Sequence, residues 1–473
     1  MVMMGIKQWL KRRKRIVFTV IVIGFLLPGA VFAVQKAKEL AEKNNKARQG
    51  AEAGKEPEEL SDVQTPKEGQ EAEAVQAKVA KVQGVSYPKA KKEEDIDIFY
   101  KKNVKPFFKS TIQDTLTSRE GKNRVYSPVN LYFCMAMLAE MADGQTKEQL
   151  LNALGQDSAE EVRKQSQLIW QKIYQDEKIS KCILGNSVWL NQEIPFEKEV
   201  LKALSKYYYA ESYQGQMGKG MDKKIQGWIN KITGNRLKEE AGKIETEEDM
   251  LLVLLSAAHF YNQWEVPFPE DKTKKDTFTN ANGEEVRCDF MNGVRIGGVN
   301  QKDSFRATSL EMENGAAMHL FLPEEWVTVE DLLRDNMDEI LQILGSPSGY
   351  GAETGIVTVS LPKFSISSSL NLIPVLENIG ITDIFKSGAA DFTKLLGEGS
   401  YAAYVSKVWQ AAKASVDEKG CSVDSFTEVE MKYSGIPEER EFTIKFDRPF
   451  LFIISNYTGI PIFAGVINQL EGE

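Results

Sequence analysis

Beyond residue 93 the segments with helical period come early and the strand-like runs come late. Their order constrains the fold of this chain more than any other feature. Phe107, Phe108, Ile112 and Leu116 recur at helical spacing. Residues 123–128 read as a short strand and a helix start, with Ser127 as cap and Pro128 at the first helical position. The helix expected over 129–141 is apolar nearly all round and therefore buried. Further helices are expected over 147–154, 198–209, 223–233, 329–344 and 370–379. Strands are expected over 183–190, 250–260, 276–279, 284–292, 316–322, 356–364, 401–416, 440–445, 451–455 and 460–466. Without regular alternation of the two types, this pattern predicts an α+β fold with large, mostly antiparallel sheets rather than a doubly wound one.

At the N-terminus Lys7, Lys11, Arg12, Arg13, Lys14 and Arg15 precede a charge-free run over residues 16–34. Residues 1–15 read as a basic cytoplasmic start and 16–34 as a transmembrane signal anchor, since the run is long enough to span a hydrocarbon core. A cleaved signal peptide is the alternative, because Val31, Phe32 and Ala33 satisfy the chemistry of a cleavage site. Both readings export the remainder of the chain, anchored at the cell surface or secreted. Residues 35–92 hold almost no large apolar side chain and read as a charged linker, helical near 34–48 and disordered after. The rest of the chain, 93–473, is the globular domain. The net charge of −9 argues against nucleic acid as a partner.

Catalytic motifs are missing. Of the two histidines, His259 and His319 each lie in an apolar strand and read as core residues rather than bases. No nucleophile elbow, zinc-protease helix or phosphate loop occurs. Cys134, Cys182, Cys288 and Cys421 are too far apart in sequence for a zinc motif or a disulfide framework. No cofactor or metal is implied.

Residues 416–441 pose a different problem. Cys421, Val423, Ser425, Thr427, Val429 and Met431 alternate with Ser422, Asp424, Phe426, Glu428, Glu430 and Lys432, the period of a strand with one small or apolar face. The flanks are so polar, and the Gly435-Ile436-Pro437 end so turn-rich, that the segment is placed like an exposed loop.

The chain resembles a serpin over residues 93–470. Ser127-Pro128 with Gly144, Thr146 and Gln149, then Trp228-Ile229-Asn230 with Thr233-Gly234, are similar to that family's early motifs. Residues 260–264 (Phe-Tyr-Asn-Gln-Trp) with Pro267-Phe268, and residues 361–364 (Leu-Pro-Lys-Phe), come next in family order. So do Thr382-Asp383-Ile384-Phe385, Asp391-Phe392, residues 405–408, residues 417–420, residues 449–452 and Phe463-Ala464-Gly465. The resemblance implies a serpin fold, expected here to be of bacterial type, with three mainly antiparallel β-sheets, about eight or nine helices and an exposed reactive-centre loop. It also implies a monomeric, non-catalytic protease inhibitor. A target serine protease, or a cysteine protease, cleaves the loop and is held as a covalent acyl-enzyme, while the loop inserts as a new strand of the main sheet.

On that resemblance the loop hinge is Glu418, Gly420, Cys421, Ser422, Val423, Asp424 and Ser425, with Cys421 standing where the family prefers threonine or serine. The scissile region is Tyr433, Ser434 and Gly435, which suits elastase-, subtilisin- or chymotrypsin-like targets. Counted back from Pro449, the cut would fall near Glu438 instead. The shutter of the sheet is expected from Ser127, Asn130, Ser256 and Gln410, where an amide replaces the usual imidazole and removes its pH dependence. The alternative is a non-inhibitory member acting as a binding or carrier protein. Such members place charge or proline on the inward hinge face, which Cys421, Val423 and Ser425 do not.

Overall fold

The computed structural model describes residues 16–26, 79–82, 99–117, 121–345, 350–397, 403–421 and 440–472. In chain order these form β1 (Ile16–Leu26), β2 (Ala80–Lys81), α1 (Phe99–Leu116), β3 (Arg124–Tyr126), α2 (Pro128–Met141), α3 (Gly144–Ala153) and α4 (Ala159–Ile173). Next come β4 (Gln175–Asp176), β5 (Ser180–Asn191), α5 (Lys198–Tyr208), β6 (Ala210–Gly215), α6 (Lys219–Ile232), α7 (Lys238–Ala241) and β7 (Met250–Gln263). After these stand β8 (Lys274–Thr279), β9 (Glu285–Gln301), β10 (Phe305–Glu311), β11 (Ala317–Pro323), α8 (Val329–Asp335), α9 (Met337–Leu344), β12 (Glu353–Pro362) and β13 (Phe364–Asn371). The chain closes with α10 (Ile373–Asn378), α11 (Thr393–Leu396), β14 (Ala403–Val416), β15 (Gly420–Cys421), β16 (Glu441–Lys445), β17 (Phe450–Ser455) and β18 (Pro461–Ile467).

The main sheet runs β13-β14-β1-β7-β5-β6-β2, with β4 on β5 and β15 at the end of β7. A second hydrogen-bonded network runs β16-β12-β9-β10-β11-β17-β18-β3, with β8 on β9. Its long strand β9 belongs to two sheets, pairing with β8 over residues 285–290, with β12 over 290–299 and with β10 over 299–301, so the molecule has the three sheets expected of an α+β serpin fold. Most pairings are antiparallel; β5 and β6 are parallel because α5 crosses between them. All residues of α2 are buried, as its uniform apolarity predicts. Ser127 caps it by accepting from the Asn130 N–H, and Pro128 opens it.

Several elements differ from the sequence reading. The single helix expected over 329–344 is two, because Asn336 leaves helical geometry (φ −116°, ψ 5°). Leu370 and Asn371 end a strand rather than start a helix. Strands β6, β10 and β13 and helix α4 were not expected, and eleven helices stand among the described residues rather than eight or nine.

The N-terminal region brings the largest correction. Ile16–Leu26, read as the first part of a membrane-spanning anchor, is a strand, and no helix among the described residues is long and apolar enough to cross a membrane. It runs parallel to both neighbours, from Ile16 opposite Ala403 to Phe25 opposite Lys413 on β14, and from Val17 opposite Met250 to Leu26 opposite Phe260 on β7. A continuous apolar run suits a central parallel strand as well as it suits a bilayer, and periodicity does not separate the two. Within the stretch read as disordered linker, Ala80–Lys81 is likewise a strand. The helix expected near 34–48 lies outside the described residues.

Candidate functional site: the hinge and shutter of the main sheet

At the end of β14 the chain makes a tight turn. Asp417 and Gly420 exchange backbone hydrogen bonds, each at 3.2 Å, and the Asp417 carboxylate accepts from the Lys419 N–H at 3.0 Å. Gly420 then pairs with Gln263 and Cys421 with Asn262, antiparallel to β7. Gly420 has φ +123°, and a Cβ there would stand 2.6 Å from the Asn262 carbonyl oxygen and 2.7 Å from the Trp264 nitrogen. Only glycine fits so close to another backbone.

Trp264 and Phe268 fasten this turn. The Trp264 N–H donates to the Lys419 carbonyl (3.2 Å), its indole N–H to the Asp417 carbonyl (2.9 Å), and the Phe268 N–H to the Glu418 carbonyl (2.8 Å). The Glu418 side chain is buried; Thr273 Oγ1 donates to its Oε1 at 2.8 Å and Lys363 Nζ bonds both oxygens at 3.1 and 3.0 Å. Burial works against its charge, but hydrogen bonds from its own backbone N–H, Lys363 and Thr273 win and hold the carboxyl below its ordinary range. Burial pushes the neighbouring Asp417 carboxyl up. Thr273 and Lys363 were not among the expected site residues, although Lys363 lies in the Leu-Pro-Lys-Phe run that marks the family.

Of the expected hinge, Glu418, Gly420 and Cys421 come together here. Ser422, Val423, Asp424 and Ser425, with Tyr433, Ser434 and Gly435, lie outside the described residues.

The expected shutter is only partly assembled. Ser127 and Gln410, both buried, form a reciprocal pair: the Ser127 N–H donates to Gln410 Oε1 (2.9 Å) and Gln410 Nε2 donates to the Ser127 carbonyl (3.1 Å). Ser127 Oγ donates to the Ile462 carbonyl (2.8 Å) and accepts from the Asn130 N–H (3.4 Å). Ser256 is not part of this group. Val22 of β1 is the rung partner of Gln410 on one side and of Ser256 on the other, so a whole strand separates them. The Ser256 hydroxyl is buried without a hydrogen-bond partner.

Both histidines lie in strands, as expected, His319 buried and His259 half-buried. His319 is fully enclosed between Ser309 Oγ (2.8 Å from Nδ1) and Ser455 Oγ (2.9 Å from Nε2), and burial pushes its pKa down to about 4. His259 is also held down to about 4, by burial first and then by the Arg236 and Lys181 charges. Imidazoles this reluctant to protonate are poorly suited to act as bases near neutrality. Cys134, Cys182 and Cys288 are buried free thiols whose pKa burial raises.

A strand-turn-strand hinge beside the main sheet defines the class. The family model for serpins, "Serpin (serine protease inhibitor)", matches residues 104–470, and the chain belongs to that family. Plasminogen activator inhibitor 1 of Sus scrofa is 25% identical over 369 residues, covering 76% of this chain and 89% of that protein. The native-state structure of the thermophilic serpin tengpin superposes with a TM-score of 0.73 at 26% identity, over 84% of this chain and all of that one. Human thyroxine-binding globulin, at 19% identity and a TM-score of 0.67 over 78% of this chain and 97% of that one, shares the fold.

Proposed function

We propose that this serpin is a suicide-substrate inhibitor of serine proteases, with residues 422–439 as its reactive-centre loop. The observation that carries the reading is the hinge: past Glu418 the chain already pairs with β7, at Asn262 and Gln263, pointing along the β7–β14 interval. Continued in that register, Val423 would meet Phe260, and the small faces of Cys421, Val423 and Ser425 would turn inward without charge or proline. Cleavage near Tyr433, Ser434 and Gly435 by an elastase-, subtilisin- or chymotrypsin-like enzyme would release the loop to insert in place of β1, which occupies that interval here. Export of the domain belongs to the same proposal and is checked by fractionating cells that express the full chain.

The test is incubation with a panel of such proteases, then denaturing electrophoresis and sequencing of the released peptide. An SDS-resistant complex and a cut within 433–438 are expected. Cleaved inhibitor alone, with every protease, overturns the reading. Val423→Arg should keep the fold and convert inhibitor to substrate.

A carrier role is favoured by one observation, a cavity of about 300 Å³ between α1 and α9 lined by Val104, Phe108, Leu341, Tyr350, Ile460 and Pro461. A carrier would keep its melting temperature when the loop is nicked; an inhibitor whose loop inserts would gain stability.

A further inference from the structure

Residues 79–82 precede the family match by more than twenty positions, yet they are seated on the domain. Ala80 and Lys81 pair antiparallel with Gln214 and Tyr213, and the Val82 N–H donates to the Ser212 carbonyl at 3.0 Å, so the segment covers the open edge of the main sheet. Val79 packs on the bare Cα of Gly215, where a Cβ would come within 2.8 Å of its methyl carbon. It joins Trp189, Tyr213 and Ile232 in the apolar cluster beneath α6.

Charge completes the attachment. Lys81 Nζ bonds Glu211 at 2.5 Å, and the same carboxylate accepts from the Tyr213 hydroxyl (2.9 Å) and from the Trp228 indole N–H of α6 (2.8 Å). Glu211 therefore ties the N-terminal segment, the edge strand and the helix at one point. Burial opposes its charge, but the bonds from Lys81, Trp228 and Tyr213 prevail and keep it ionised. Helix α6 in turn lies across β5 and β7, through Trp228, Ile225 and Ile229 against Trp189, Val253 and Leu255. β7 is one wall of the interval at which the hinge points.

We propose that residues 79–82 are a strap that pins α6 and the outer edge of the main sheet, so that the N-terminal chain governs how readily the sheet opens. The strap's docking stands apart from the inhibitor reading; only its effect on loop insertion rests on that reading. Release of the strap frees α6 to lift.

The test uses the full chain carrying Gly215→Ala, Lys81→Met, and Gly215→Ala combined with Val79→Ala. Amide exchange is measured at Val82 and along α6 and β7, and trapping is measured with a protease. Gly215→Ala and Lys81→Met should each speed exchange at Val82 and in α6 by roughly five- to tenfold, and Val79→Ala should reverse part of the Gly215→Ala effect by removing the methyl at 2.8 Å, the Val79 Cα at 3.1 Å remaining. Unchanged exchange at Val82 in both single variants overturns the docking. Faster exchange at Val82 with α6 unchanged overturns the pinning. Should Gly215→Ala fail to fold, Lys81→Met decides alone. If exchange responds as expected while no protease is ever trapped, the strap stands and the inhibitor reading falls.

Discussion

Gln410 and Ser127 hold each other by two hydrogen bonds, amide oxygen to backbone N–H and amide nitrogen to backbone carbonyl, across the junction of β14 and α2. Both backbone groups of Ser127 are buried; truncating the amide strands the N–H, while the carbonyl keeps only the bond from the Leu131 N–H (3.3 Å). Gln410→Ala should lower stability by about 1–3 kcal/mol, the cost of burying one unpaired donor. An amide does not titrate in the physiological range, whereas Gln410→His should introduce a dependence of melting temperature on pH between about 5 and 7. Calorimetry of the three proteins across that interval checks both statements.

Glu311 provides a pH dependence of its own. Burial first, and then the charge of Glu265, raise its pKa from 4.5 to about 7. A carboxyl raised in the folded state binds its proton more tightly there than in the unfolded chain. Its contribution to stability is therefore fully present below about pH 4.5 and is lost as pH rises through 7. After discounting for its partial exposure, about 1–2 kcal/mol of stability should disappear between pH 5 and 8 on this account. Urea titrations should show that slope, and Glu311→Gln should flatten it.

Arg295 is buried with its Nε and Nη2 unpaired, its guanidinium 4.3 Å from the centroid of the Phe268 ring. Burial lowers its pKa to about 10, which leaves it charged at neutrality. An unpaired buried cation is costly, and ring stacking returns only part of that. Arg295→Met should stabilise the uncleaved protein by about 1–3 kcal/mol. Because Phe268 also donates to the Glu418 carbonyl, the same variant should slow amide exchange in the hinge turn. A lower melting temperature would show that the guanidinium is satisfied in solution.

Of the hinge, the turn through Glu418, Gly420 and Cys421 was legible through the family resemblance, and its requirements are local: a glycine where two backbones meet, an acid beside it and a tryptophan-bearing strand end. Its partners Thr273 and Lys363 reach Glu418 from distant positions in the chain, and such contacts leave no periodic trace. Helix α4 did carry a signal, in Val162, Ile169, Trp170 and Ile173, that the many polar residues between them masked. Residues 79–82 have none, since a two-residue edge strand is too short for a period to show. Ser256 was expected beside Ser127 and Gln410 on the family resemblance alone; β1 stands between β7 and β14 and keeps them apart.

That strand sets the last prediction. Cys421 pairs with Asn262 and Leu26 with Phe260, so a loop continuing beyond the hinge in the same register reaches the rungs of β1 at Val423. The two segments exclude one another: β1 must leave for the loop to enter, and a segment engaged in a bilayer could not fill the slot. Val20 pairs with Val408 on one side and Leu254 on the other, at the middle of both ladders. A proline there removes a donor and is poorly tolerated in a central strand. Val20→Pro in the full chain should expose the Leu254 and Val408 amides to exchange and raise the rate of protease trapping several-fold. Accelerated exchange without faster trapping would mean that departure of β1 does not limit insertion; unchanged exchange would mean that β1 does not occupy the slot in solution.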